Sequence, residues 1–169
     1  MMFYKGFNKM FKNKKGFSVV EILIVVVIIT VGLVALLNAV TSSLKNSRLM
    51  KENDQAKELA QEVLEAVRSF RDGTTWNTNG LGTLTLNISY HPQKTSDNPP
   101  KWNLVSGEET IGIFTREVVF SKISRDPTSK NIESTYNPSN NDSNTRKVTA
   151  TVSWQGKTVE ISTLLTNWK

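Results

Sequence analysis

Apolar and polar positions follow three different patterns along this chain. Over residues 17–40 (FSVVEILIVVVIITVGLVALLNAV), 24 consecutive positions carry a single charge, Glu21. As a helix rising 1.5 Å per residue, that run is roughly 36 Å long, enough to cross a bilayer core. Beyond it the pattern becomes periodic. Ala56, Ala60, Val63, Val67 and Phe70 recur at spacings of four, three, four and three, and Leu59 and Leu64 widen the stripe. Lys57, Glu58, Gln61, Glu62, Glu65 and Arg68 fill the other faces. No proline precedes Pro92, and Gly32 is the only glycine between residues 17 and 72. The two patterns together predict one helix over 17–72, roughly 84 Å long and transmembrane in its first half, with Gly73 placed for a left-handed cap.

From residue 73 the period shortens. All five prolines and six of the nine glycines lie from here on. Alternating or β-branched runs at 84–90, 111–123, 148–154 and 158–165 predict strands. Leu84, Leu86, Ile88 and Tyr90 share one strand face, as do Val148, Ala150, Val152 and Trp154. Gln155-Gly156 predicts a two-residue hairpin with Gly156 at positive φ. Residues 91–107 and 126–147, rich in Pro, Asn, Ser and Thr, predict surface loops. The expected fold class is α+β: a long N-terminal helix packed through its amphipathic half on a small antiparallel sheet. Three regions follow, a leader at 1–16, the helix at 17–72 with its membrane segment at 17–40, and a β-rich head at 73–169.

Charge sharpens the first boundary. The chain carries +6 overall, but Lys5, Lys9, Lys12, Lys14 and Lys15 precede the apolar run with no acid beside them. Removing those five from 21 basic residues leaves 16 against 15 acids over 17–169. The positive balance therefore belongs to the leader, which places the N-terminus in the cytoplasm and the head outside. It does not make the head a nucleic-acid binder. A signal peptide of the ordinary kind fits poorly: the apolar run is longer than an h-region, and Leu37-Asn38-Ala39 lacks the small residue that cleavage wants.

Candidate enzyme chemistry is sparse. The chain has no cysteine and one histidine, His91, which excludes disulfides, thiol nucleophiles and a histidine metal cluster. His91 precedes Pro92 at an expected strand end, without an oxyanion or nucleophile-elbow pattern, and reads as a solvated loop residue. Asp126 and Asp142 lie among asparagines without the spacing of a calcium loop. Trp76, Trp102, Trp154 and Trp168 read as core and hairpin residues. The alternative, exposed aromatics beside Arg146 and Lys147 stacking single-stranded DNA, is the weaker reading. No enzyme activity, cofactor or metal is expected.

The informative segment is KKGFSVVE at 14–21. A carboxylate in a membrane helix costs about 2.5–3.5 kcal/mol at mid-bilayer and less nearer the edge, so a lone acid there wants a positive partner. Lys14 and Lys15 lie on the water side of Gly16. A cut after Gly16 would instead create an α-ammonium at Phe17, about one helical turn from Glu21. The bland alternative is an incidental glutamate snorkelling to water in a plain anchor.

GFSVVEILIVVVIITVGLVAL resembles the N-terminal signature of type IV prepilins and the pseudopilins of type II secretion systems. The resemblance implies cleavage after Gly16 by a prepilin peptidase, methylation of the new N-terminus at Phe17, and neutralisation of a neighbouring subunit's terminal amine by Glu21 as a filament grows. Ser18 stands where the family often has threonine, and the apolar helix lacks the proline of many major pilins. Residues 56–72 and the ending KVTATVSWQGKTVEISTLLTNW resemble minor pilins and the smaller pseudopilins. The implied partners are the peptidase, other pilin or pseudopilin subunits, an inner-membrane assembly platform, and membrane lipid before assembly; nucleic acid is not among them. The expected protein is a minor pilin or pseudopilin, a single-pass inner-membrane protein before it joins a pilus or pseudopilus. A non-polymerising anchored binding domain and a DNA-contacting competence-pilus subunit are the alternatives.

Overall fold

The computed structural model describes residues 16–168. All of the expected leader except Gly16 lies outside the described residues. The chain divides into two compact units, residues 1–47 and 48–169. One helix, α1 (Val19–Gly73, 55 residues), supplies residues to both.

In the first unit, α1 opens where the Ile22 amide donates to the Ser18 carbonyl at 3.2 Å. Every described residue up to Ser47 is exposed. The helix passes the length and composition test for a membrane span, with a window of mean hydropathy 3.1 and none of that window buried. Two of its threonine hydroxyls are turned back onto the helix. Thr30 Oγ1 donates back to the Val26 carbonyl at 2.7 Å, and Thr41 Oγ1 to the Leu37 carbonyl at 2.8 Å.

In the second unit the periodic stripe is buried. Ala56, Ala60, Val63, Val67 and Phe70 face a core with Leu64, and Leu59 packs at its margin. The opposite wall is an antiparallel sheet of β1 (Ser89–Lys94), β2 (Trp102–Ser106), β3 (Glu109–Ile111), β4 (Phe114–Ser124), β5 (Asn141–Trp154) and β6 (Lys157–Thr166). The strands lie in the order β2-β1-β4-β5-β6, and β3 pairs with the start of β4. Register aligns the inward residues in rows: Val118 opposite Ala150, which faces Ile161, and Phe120 opposite Val148. Tyr90 meets the Phe120 ring edge-on at 5.6 Å. The helix alanines share one buried cluster with this wall, and each fully buried valine contributes about 1.5–3 kcal/mol.

Three local expectations differ. Gly73 is the last helical residue and not a left-handed cap; Thr74 closes the helix, its Oγ1 donating to the Phe70 carbonyl at 2.7 Å. The strand expected over 84–90 begins only at Ser89, because Asn87 sits at φ 60° and breaks extension. The preceding residues are held by their side chains instead: Leu81 is fully buried, and Tyr90 Oη accepts from the Thr85 amide at 3.1 Å. Gly82 fits there because a Cβ would come within 2.6 Å of the Trp76 ring. Finally, the expected loops at 91–107 and 126–147 contain β2 and the first half of β5. The Gln155-Gly156 turn is as expected, with both residues at positive φ (46° and 74°), the geometry of a type I′ hairpin.

Candidate functional site: the exposed helix start

Gly16, Phe17 and Ser18 precede α1 without regular structure, and all three are exposed. Among the described residues, nothing lies within 4 Å of a Cβ placed on Gly16. Phe17 is 77% exposed. Glu21 falls in the first helical turn, where the unpaired amides of the helix start favour an anion. Among the described residues Glu21 has no hydrogen bond or ion pair, and its neighbours Val20, Ile22 and Leu23 are bare apolar surface. Val20, Leu23, Ile24, Val27 and Ile28 line a shallow groove on one helix face. The arrangement offers an exposed Gly16–Phe17 bond, one acid without a partner among the described residues, and a helical surface that water would leave unsatisfied.

The other candidate residues are occupied by the fold. His91 is not in a loop but inside β1, half-buried, with Nδ1 3.2 Å from the Gly107 carbonyl. Asp126 Oδ1 accepts the Thr128 and Ser129 amides at 2.9 and 2.6 Å, bonds that hold its pKa below the usual carboxylate range. Asp142 Oδ2 accepts Arg125 Nε at 2.6 Å. Burial pushes the Asp142 pKa up, but the hydrogen bonds from Arg125 and the Asn144 amide outweigh it, so the net shift is downward. Among the described residues, no group of three His, Cys, Asp or Glu could hold a metal ion. The stacking platform considered for DNA is absent at Arg146: that side chain is 8% exposed and faces the Trp76 ring at 5.7 Å, while buried Trp76 donates to the Ser143 carbonyl at 3.2 Å. Burial lowers the Arg146 pKa and the nearby Asp142 charge opposes that shift.

One polar cluster escaped the sequence reading. Glu52 is 7% exposed, one turn before Ala56 on the buried stripe. Its carboxylate accepts Arg48 Nε at 3.1 Å and Trp154 Nε1 at 3.3 Å, with Lys157 Nζ at 3.7 Å. The available signal was an acid exactly in phase with the alanines.

A family described as the prokaryotic N-terminal methylation motif matches residues 11–37, a stretch that includes Gly16, Phe17 and Glu21. No curated protein and no solved structure matches the chain.

Proposed function

We propose that this chain, which carries the prepilin-type signal of type IV pilins and pseudopilins, is a minor pilin or pseudopilin: a structural subunit cut after Gly16, methylated on Phe17 and polymerised through its N-terminal helix. The motif supports a type IV pilin-like subunit, and the long apolar helix with its antiparallel sheet is a pilin-like α+β arrangement. The observation that carries the finer reading is the coincidence of that motif with a wholly exposed apolar helix holding one unpaired acid. As a single-pass anchor the helix sits in lipid with the leader in the cytoplasm. Side by side with staggered copies it buries the same surface against protein, in contacts that do not close and so propagate. The new ammonium at Phe17 then supplies the charge that Glu21 lacks. Because that pair is desolvated, it penalises wrong registers more than it adds affinity. The partners are a prepilin peptidase, further subunits and an inner-membrane assembly platform.

The test is the intact mass and N-terminal sequence of the protein from its native membranes. A chain beginning at methylated Phe17 supports the reading. A chain beginning at Met1 reduces it to a plain membrane anchor, and a start near Ala39 makes it a secreted protein.

A further inference from the structure

The second unit exposes apolar side chains beside acids that its own cations do not balance. A groove of about 390 Å³ runs between Glu58, Leu59 and Glu62 on α1 and the turn joining β3 to β4. That turn is Ile111-Gly112-Ile113, with Gly112 at φ 61° and the isoleucines 38% and 50% exposed. Tight turns ordinarily carry small polar residues, and an exposed apolar patch rimmed by charge marks an interaction surface. Glu58 has no ion pair among the described residues. Glu62 and Glu109 share one cation, Arg116, at 3.1 and 2.7 Å. The groove is thus apolar at its turn and negative along its helix wall, and fits a partner that is apolar and basic.

This chain presents such a segment itself. Over residues 44–51, Leu44 and Met50 are each 67% exposed, and Lys45 and Lys51 have no ion pair among the described residues. We propose that the groove holds residues 44–51 of a second copy's helix, with that copy's lysines set against Glu58 and Glu62 and its apolar side chains against Ile111 and Ile113. The inference rests on the filament reading and names a contact to a different neighbour from the one whose Phe17 meets Glu21, since that pair sets an offset of about 6 Å only. Parallel copies joined this way are offset by roughly 16 Å, the rise of eleven helical residues. The contact is heterologous and repeats without closing. Its exposed charges select the register and contribute little affinity.

The chain's lack of cysteine makes the test clean. Ile113→Cys is combined in turn with one cysteine at each position from 44 to 51, in cells that assemble the protein, and oxidised samples are run on non-reducing gels. The expected result is a ladder of multiples of the chain mass, from dimers upward, at positions on one helical face only, with the single Ile113→Cys chain giving none. Glu58→Lys is expected to lower sheared filament yield by about ten-fold, with recovery on adding Lys51→Glu or Lys45→Glu. Filaments that form normally while no position cross-links overturn the contact and leave the filament reading intact. So does a cross-link from Ile113→Cys to a different basic protein. If the parent chain keeps its leader and yields no filaments, the filament reading falls and this contact falls with it.

Discussion

Two glutamates on the same helix stand in opposite situations. Glu52 is buried and answered within the chain by Arg48, Trp154 and Lys157. Glu21 is exposed, surrounded by apolar side chains, and answered by nothing among the described residues. The first explains itself: a buried acid is tolerated when its oxygens are occupied, and here it ties α1 to the β5–β6 hairpin. The second has no partner among the described residues, and under the proposed function that partner is the terminal amine cleavage would create at Phe17. An acid that is unpaired where lipid should be is a stronger functional signal than one merely in an unusual place.

The comparison can be broken most sharply at Glu21. Glu21→Ala is expected to leave cleavage after Gly16 intact and to reduce incorporation into sheared filaments at least about a hundred-fold, because removing one member of a desolvated pair costs about 3–5 kcal/mol. Immunoblots of membrane and filament fractions measure both; an unprocessed mutant would place Glu21 in peptidase recognition instead. Next in size is Phe120→Ala, which empties the centre of the second unit. It should lower stability by about 3–5 kcal/mol in urea unfolding of the detergent-solubilised chain, followed by tryptophan emission. Glu52→Ala should cost about 1–3 kcal/mol in the same experiment, since it strands the Trp154 N–H, yet leave incorporation of the folded protein unchanged. Loss of filaments at full stability would erase the distinction between the two acids.

The smallest effect expected is a pH dependence. Asp142 has a folded-state pKa below its unfolded value, so its contribution is present above the unfolded value near 3.9 and lost as pH falls through the folded one. Stability of the second unit should decline on acidification through that window, and Asp142→Asn should flatten the decline. An unchanged slope in the mutant would show that the Arg125 contact is not felt in solution.

The longest element was the most legible in the sequence. A helix of 55 residues repeats its signal many times, so the stripe from Ala56 to Phe70 was visible without any tertiary information. The Gln155-Gly156 turn was legible for a local reason, the need for positive φ. What failed was decided by partners distant in sequence. The first half of β5 (NDSNTRK) has no strand pattern, but β4 pairs with Asn141 and Asp142, and β6 runs alongside from Thr145 onward. The 84–90 alternation holds as burial for Leu84, Leu86 and Tyr90 but not for Ile88, which is exposed, and not as a strand: Leu84 and Leu86 pack on the core from bends and turns. At the helix start the sequence supplied every residue of the proposed site. It could not supply Glu52's role, since Trp154 lies 102 positions away.

The two threonines that bond back onto α1 bear on how the segment partitions between environments. With the Thr30 and Thr41 hydroxyls turned onto carbonyls of their own helix, the only ionic side chain among described residues 17–44 is Glu21. Hydrocarbon tails and leucine-rich protein are nearly equivalent solvents for such a surface. If the proposed assembly holds, transfer from one to the other is nearly neutral in free energy along most of its length, and its direction is left to a single carboxylate and whatever charge it meets.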